Sequence, residues 1–360
     1  MCEFGMASKY VRANILFLTG YVPGEQPSPQ SKAVKLNTNE NPYRASEAVY
    51  DAINRVVQVG LSRYPDPHAT EFRNAAAQKF NIEPNMVLCG NGSDELFTLL
   101  MRTFVGYGDF IQVPYPTYSL YETIAEALGA RCVLTRFNDD WSLPDKFYSE
   151  DRRVRLVFLP NPNSPSGTLL PKERILEIAE NLPCPLVVDE AYADFADSSC
   201  IDLIGRCERI IVTRSLSKSY SLAGLRFGYL VAAPELVGQV CKIKDSYNCD
   251  SISIAAATAA ISDDSWLVEN RKKILATRNR LTKEMRNLNF FVPDSSANFT
   301  WNVHFQRSAR SIYNHLYNQG IIVRLMDYKY WDGGLRISVG TDEQIDQCIS
   351  SIRRFVNGMG

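Results

Sequence analysis

Val154-Arg-Leu-Val-Phe-Leu159, Leu186-Val-Val-Asp189-Glu-Ala-Tyr192 and Arg209-Ile-Ile-Val-Thr213-Arg-Ser215-Leu-Ser217-Lys218 are short apolar runs that each give way to polar residues. Runs this short and this apolar read as strands buried on both faces. Outward from them the pattern repeats in Met86-Val-Leu-Cys89, Asp109-Phe-Ile-Gln-Val113, Arg131-Cys-Val-Leu134 and Gly228-Tyr-Leu-Val-Ala232, with helical periodicity between. Strands alternating with helices predict an α/β fold with a mostly parallel sheet flanked by helices. Past residue 232 the helices lengthen, as in Trp266 to Leu288. The strand candidates there are Asn298-Phe-Thr-Trp-Asn-Val303 and Leu335-Arg-Ile-Ser-Val339, which predict a smaller C-terminal α/β domain. Before the sheet, Gly20-Tyr-Val-Pro-Gly-Glu-Gln-Pro-Ser-Pro29 places three prolines in a short span and reads as an extended arm. The division expected is 1–34 arm, 35–250 large domain and 251–360 small domain.

With 360 residues, 45% of them apolar, the chain can bury a substantial core. Its 39 basic and 40 acidic residues nearly cancel and form no long run of one sign, so neither nucleic acid nor an anionic membrane is an expected partner. No apolar run approaches the length of a bilayer span. The stretch Ile15-Leu-Phe-Leu18 is short and lacks a small-residue cleavage site, and Glu3 precedes it, so no secretion signal is read. Nine cysteines are scattered singly from Cys2 to Cys348, which suits reduced thiols in the cytoplasm. Three histidines (His68, His304, His315) argue against a histidine-rich metal centre, and no metal is expected.

In sheets of this kind ligands bind outside the carboxyl ends of the strands. Gly90-Asn-Gly92-Ser93-Asp94-Glu95 follows a strand and opens a helix, where free N–H groups and the helix dipole favour an anion such as phosphate. Ser93 reads as the N-cap. The same turn is also compatible with a purely structural role, and Glu95 breaks the dinucleotide fingerprint. Asp189 ends a buried strand and suits a metal, a ribose or a cationic ring nitrogen, with the Tyr192 phenol three residues on. Lys218 lies among Ser215, Ser217 and Arg226; the nearby cation lowers its basicity and makes it a nucleophile. One cofactor needs all three loops at once. Pyridoxal 5'-phosphate requires a lysine, an acid for its pyridine nitrogen and a cradle for its phosphate.

In these features the chain resembles the fold type I aminotransferases, and among them the histidinol-phosphate aminotransferases. The resemblance rests on Tyr21-Val-Pro-Gly24, Asn39-Glu-Asn41-Pro42, Arg63-Tyr64-Pro65, Gly90-Asn-Gly92-Ser-Asp94, Pro116-Thr-Tyr118, Asp189-Glu-Ala-Tyr192, Ser217-Lys218 and Leu335-Arg336-Ile-Ser-Val-Gly340. It implies Lys218 as the Schiff-base lysine, Asp189 as the pyridine partner, Tyr192 on the ring hydroxyl and Tyr118 stacked on the ring. The phosphate would be held by the Gly92-Ser93-Asp94 turn, Ser215, Ser217 and Arg226, with Tyr64 arriving from the partner of a homodimer. Where the family carries Asn before Pro-Thr-Gly, this chain reads Asn163-Ser164-Pro165, and either side chain could reach the ring hydroxyl.

The resemblance further implies Arg324 and Arg336 as substrate arginines, Asn41 on the substrate side, Tyr21 reaching across the dimer toward a substrate phosphate and Tyr247 in an aromatic wall. The reaction it implies converts L-histidinol phosphate and 2-oxoglutarate to imidazole acetol phosphate and glutamate, in histidine biosynthesis. Threonine-phosphate decarboxylase and aromatic aminotransferase are the rivals of the same fold. Ser215-Leu-Ser-Lys218 also satisfies the S-x-x-K pattern of serine acyl-enzymes, but its companion motifs are absent. A non-catalytic sensor that binds the cofactor would be expected to carry a DNA-binding region, for which the sequence leaves no room.

Overall fold

A computed structural model describes residues 9–28, 30–147, 151–329 and 331–358 of the chain. Cys2, Glu3 and Pro29, which entered the readings of thiol spacing, targeting and arm, lie outside those residues. Among the described residues twelve strands form two sheets: β1 Val34–Leu36, β2 Val87–Gly90, β3 Phe110–Tyr115, β4 Arg131–Arg136, β5 Val154–Pro160, β6 Leu186–Asp189, β7 Ile210–Ser215, β8 Gly228–Val231, β9 Phe290–Phe291, β10 Phe299–His304, β11 Ile321–Tyr328 and β12 Trp331–Ser338. The larger sheet runs β2-β8-β7-β6-β5-β3-β4. Its pairs from β7 to β4 are parallel, and β8 is antiparallel to both its neighbours.

The apolar runs are continuous because both faces of this sheet are covered. Val157, Leu159, Val188 and Val212 join one core with Val49, Phe72, Ile178 and Ala257 from helices Glu47–Val59, Thr70–Phe80, Lys172–Asn181 and Ser251–Ser262. Their sequence neighbours Leu156, Phe158, Val187 and Ile211 enter a second core with Leu96, Leu100, Tyr121 and Val237 from helices Gly92–Phe104, Leu120–Leu128 and Pro234–Cys241. The period of two along each strand delivers successive side chains to opposite cores. Each such aliphatic side chain contributes about 1.5–3 kcal/mol on burial, so the register of the central strands is firmly held.

The smaller sheet runs β1-β11-β12-β10-β9, with β1 parallel to β11 and the other pairs antiparallel. Helices Asp264–Asn287, Ala309–Asn318 and Asp342–Val356 cover one face, burying Leu281, Ile312, Ile345 and Ile349 against Leu36, Val323, Leu335 and Ile337. Arg324, Met326, Arg336 and Ser338 alternate with those strand residues, and the first three line the cavity between the two sheets. All seven strand runs read along the large sheet are present, as are both read in the small one; β1, β9 and β11 were not among them. The arm has no regular secondary structure between Leu18 and Ser28.

Candidate active site

At the carboxyl ends of β5, β6 and β7 lies a cavity of about 460 Å³. Lys218 is half-buried there, and its Nζ donates to the Thr38 carbonyl at 3.0 Å. Burial is the main reason its pKa falls to about 8; Arg336 and then Arg226 add to the effect, while Glu40 and Asp94 oppose it. The sequence reading credited Arg226 alone, because neither burial nor the neighbouring sheet's Arg336 is visible from spacing.

Across the cavity Asp189 is buried, and its pKa rises to about 6, again chiefly through burial. Among the described residues, every hydrogen bond its side chain receives comes from a neutral donor: Tyr121 Oη at 2.5 Å, Ala191 N at 3.1 Å and Thr213 Oγ1 at 3.5 Å. A buried carboxylate of this kind lacks a cation, which a protonated ring nitrogen in the cavity would provide. Tyr121 was not singled out from sequence, although it stands one helical turn after Tyr118. It is fully buried and stacked on Phe158, with ring centroids 4.7 Å apart.

The third corner is the anion cradle. Helix Gly92–Phe104 presents its first N–H groups to the cavity, and Ser93, Asp94, Ser215, Ser217 and Arg226 line that end. Gly92 has φ +79°, which favours glycine, and a Cβ there would also push the Arg226 guanidinium, whose Nη2 would lie 2.6 Å away. Arg226 is itself left-handed, with φ 52°, and reaches Ser217 Oγ at 3.3 Å and Asp94 Oδ2 at 3.2 Å. Ser93 is not the N-cap as expected: the helix starts two residues earlier, with Asn91 in that place and no side-chain cap.

Tyr192 lines the wall and accepts from Asn39 Nδ2 at 2.9 Å. Asn39, also left-handed at φ 55°, is fixed by Ser338 and Asn298 from the smaller sheet's side. Tyr118 lines the opposite wall, with its hydroxyl 3.3 Å from Asp94 Oδ1.

Five further residues are placed as follows. Asn163 is turned away: its amide bonds Ser166 Oγ and the Pro116 carbonyl, and its oxygen accepts from Thr117. Ser164 lines the cavity instead and accepts from Arg336 Nη1 at 2.9 Å. Asn41 is not on the substrate side; its amide holds the Lys218 and Ser219 carbonyls from behind, at 3.1 and 3.2 Å. Tyr21, expected to cross to a partner, stands in its own chain's cavity with its ring 5.6 Å from that of Tyr118. The arm is tied there by Arg324 donating to the Val22 carbonyl and Asn37 to that of Glu25. Tyr247 lies outside the cavity, stacked on Tyr64 at 4.4 Å, and both are exposed.

A lysine of lowered basicity, a buried carboxylate without a cation and a helix-end anion cradle, converging on one cavity between two sheets, define an enzyme built around pyridoxal phosphate. The sequence model described as "Aminotransferase class I and II" matches residues 31–352. The chain belongs to the class I and II aminotransferase family, and pyridoxal 5'-phosphate is its cofactor. It is 52% identical to a histidinol-phosphate aminotransferase of Rhodopirellula baltica, over 94% of each chain. A second histidinol-phosphate aminotransferase, from Geotalea uraniireducens, is 41% identical over 96% of this chain and 99% of its own. Among solved structures, the histidinol-phosphate aminotransferase of Sinorhizobium meliloti in complex with pyridoxal-5'-phosphate superposes with a TM-score of 0.89 at 25% identity, covering 97% of this chain and 98% of that one.

Proposed function

We infer that the chain transfers the amino group of L-histidinol phosphate to 2-oxoglutarate, giving imidazole acetol phosphate and glutamate, as a step in histidine biosynthesis. The observation that carries this reading is the pairing of Arg324 directly opposite Arg336 on adjacent antiparallel strands, both lining the cavity. Like charges in directly opposed positions repel. A dianionic phosphate offsets that repulsion better than a single carboxylate, and two guanidinium forks match its oxygens. The relatives' names point to the same substrate.

Bound pyridoxal phosphate supplies an aldehyde that takes up the amino group and a ring that accommodates an electron pair. The residues around it divide the remaining work. Lys218, held at the Thr38 carbonyl and titrating near 8, moves the proton at the amine-bearing carbon of the substrate. Asp189 keeps the ring nitrogen protonated, and Tyr121 orients that carboxylate. Ser93, Ser215, Ser217 and Arg226 anchor the cofactor phosphate, while Tyr192 and Ser164 face the ring hydroxyl. Tyr21, Arg324 and Arg336 grip the substrate's anionic end, and the arm over the cavity limits water.

Titration of the purified protein with histidinol phosphate, phenylalanine and glutamate, followed by the visible band of the lysine-bound cofactor, tests the substrate. Histidinol phosphate is expected to bleach the band at the lowest concentration, without carbon dioxide release; failure to bleach it overturns the substrate assignment. In Arg324→Ala or Arg336→Ala, kcat/KM for histidinol phosphate should fall by about 10- to 100-fold, the value of one or two charge-assisted hydrogen bonds. A smaller loss than for phosphate-free histidinol would contradict the phosphate role.

The working unit is proposed to be a cytoplasmic homodimer. Val57, Val59, Leu61, Tyr64 and Tyr247 are all exposed, and such a group of apolar side chains suits a self-complementary contact. There Tyr64 would reach the partner's phosphate cradle. Sedimentation velocity giving a monomer at micromolar concentration would refute it. Among the described residues no helix is long and apolar enough to cross a membrane.

A further inference from the structure

Behind the strand ends, away from the cavity, lies a cluster of charges that the chemistry above does not use. Arg214, next to Ser215 on β7, is buried with Glu190 and also pairs with the partly buried Asp194. Its Nη2 bonds Glu190 Oε2 at 2.8 Å, its Nη1 bonds Asp194 Oδ1 at 2.6 Å, and its guanidinium lies 5.3 Å from the Phe80 ring centroid. One cation against two carboxylates leaves a buried negative charge, so the cluster needs neutral donors. Ser199 Oγ and the Cys200 N–H serve Glu190. For Asp194 Oδ2 the donor is Ser219 Oγ, at 2.5 Å.

Ser219 directly follows Lys218 and is itself buried. Asp194 belongs to the turn after Tyr192, and Glu190 directly follows Asp189. The cluster therefore joins the loop that carries the acid to the loop that carries the lysine, and the only side-chain bond from it into the lysine loop beyond β7, among the described residues, is that of Ser219. Asn41 holds the opposite side of the same segment through the Lys218 and Ser219 carbonyls.

We propose that Ser219 is a positioning residue: its hydroxyl ties the Lys218 segment to the buried Arg214–Glu190–Asp194 cluster and so fixes the Lys218 amine at the Thr38 carbonyl, in line with Asp189. This rests on Lys218 being the cofactor lysine, a point tested separately by whether the unmodified holoenzyme shows a lysine-bound cofactor band that Lys218→Ala loses.

The test compares holoenzymes of Ser219→Ala, Ser219→Thr and Ser199→Ala. Ser199→Ala removes a hydroxyl from the same cluster without touching the lysine segment, and so controls for general loosening. Ser219→Ala is expected to lower kcat by about five- to ten-fold with KM changed less than about two-fold. It should also shift the pH midpoint of the cofactor band by about half a unit or more and speed hydrogen exchange of the segment around residues 216–220. Ser219→Thr, which keeps the hydroxyl, should restore all three, and Ser199→Ala should leave midpoint and exchange as in the parent. An unchanged midpoint and unchanged exchange in Ser219→Ala overturn the proposal. So does an equal shift in Ser199→Ala, because the effect would then belong to the cluster as a whole.

Discussion

Lys218→Ala is expected to lower kcat by about 10⁴-fold, the upper range for loss of a positioned general base, and to erase the visible band of the lysine-bound cofactor. Both losses follow from one atom. Nζ has the Thr38 carbonyl as its hydrogen-bond partner and titrates near 8, so at neutral pH a usable fraction is free amine. Among the described residues lining the cavity there is no other lysine, so none stands ready to replace it. Cofactor should still enter, because the cradle at the start of helix Gly92–Phe104 and the Asp189 carboxylate are untouched. Equilibrium dialysis should show retained but weaker binding. A variant that kept both band and turnover would displace Lys218 from the centre of the reaction.

Asp189→Asn should act in opposite directions on stability and on rate. In the cofactor-free protein Asp189 titrates near 6, above its ordinary value of 3.8. Below about pH 3.8 the carboxyl is protonated in both folded and unfolded chains and has no net effect. Between 3.8 and 6 the folded chain keeps a proton that the unfolded chain has lost, so stability declines as pH rises. Above 6 the whole cost, on the order of 3 kcal/mol, is present. The neutral amide removes this titration. At pH 7.5 the cofactor-free variant should be more stable than its parent by about 1–3 kcal/mol in urea unfolding, with the difference fading toward pH 4. The loaded variant should turn over about 10²- to 10³-fold more slowly, since the ring nitrogen loses its charged partner. An Asn variant less stable than its parent at pH 7.5 would show that the carboxylate is already satisfied without a cofactor.

The parts legible in the sequence are those that depend on neighbours along the chain. Each large-sheet strand showed itself as an apolar run, and Lys218, Asp189, Ser93, Asp94, Ser217 and Arg226 followed because strand-end loops are where such sheets bind ligands. What stayed hidden depends on neighbours in space. Thr38 holds the lysine through a main-chain carbonyl, which carries no signature in residue type. Tyr121 reaches Asp189 across 68 residues of chain. The Asn39-Glu-Asn41 motif was recognised, but which asparagine faces the cavity depends on the left-handed backbone at Asn39, which puts it against Tyr192 and sends Asn41 behind the lysine. Asn163 and Ser164 were inseparable by spacing; the hydrogen bonds that hold Asn163 inside the loop leave Ser164 as the one of the two that lines the cavity. The direct opposition of Arg324 and Arg336 appears only once β11 and β12 are paired.

Strand β1 ends at Leu36, in register with Val323, and the lysine's acceptor is only two residues further on, at Thr38. Asn37 between them is fastened too, its carbonyl taking a bond from Arg336 at 3.1 Å. An inserted or deleted residue would displace the Thr38 carbonyl by about 3.3–3.6 Å, more than the length of the bond it makes with Nζ. Residues 36–39 are therefore a stretch whose length cannot change, the reverse of an ordinary surface loop.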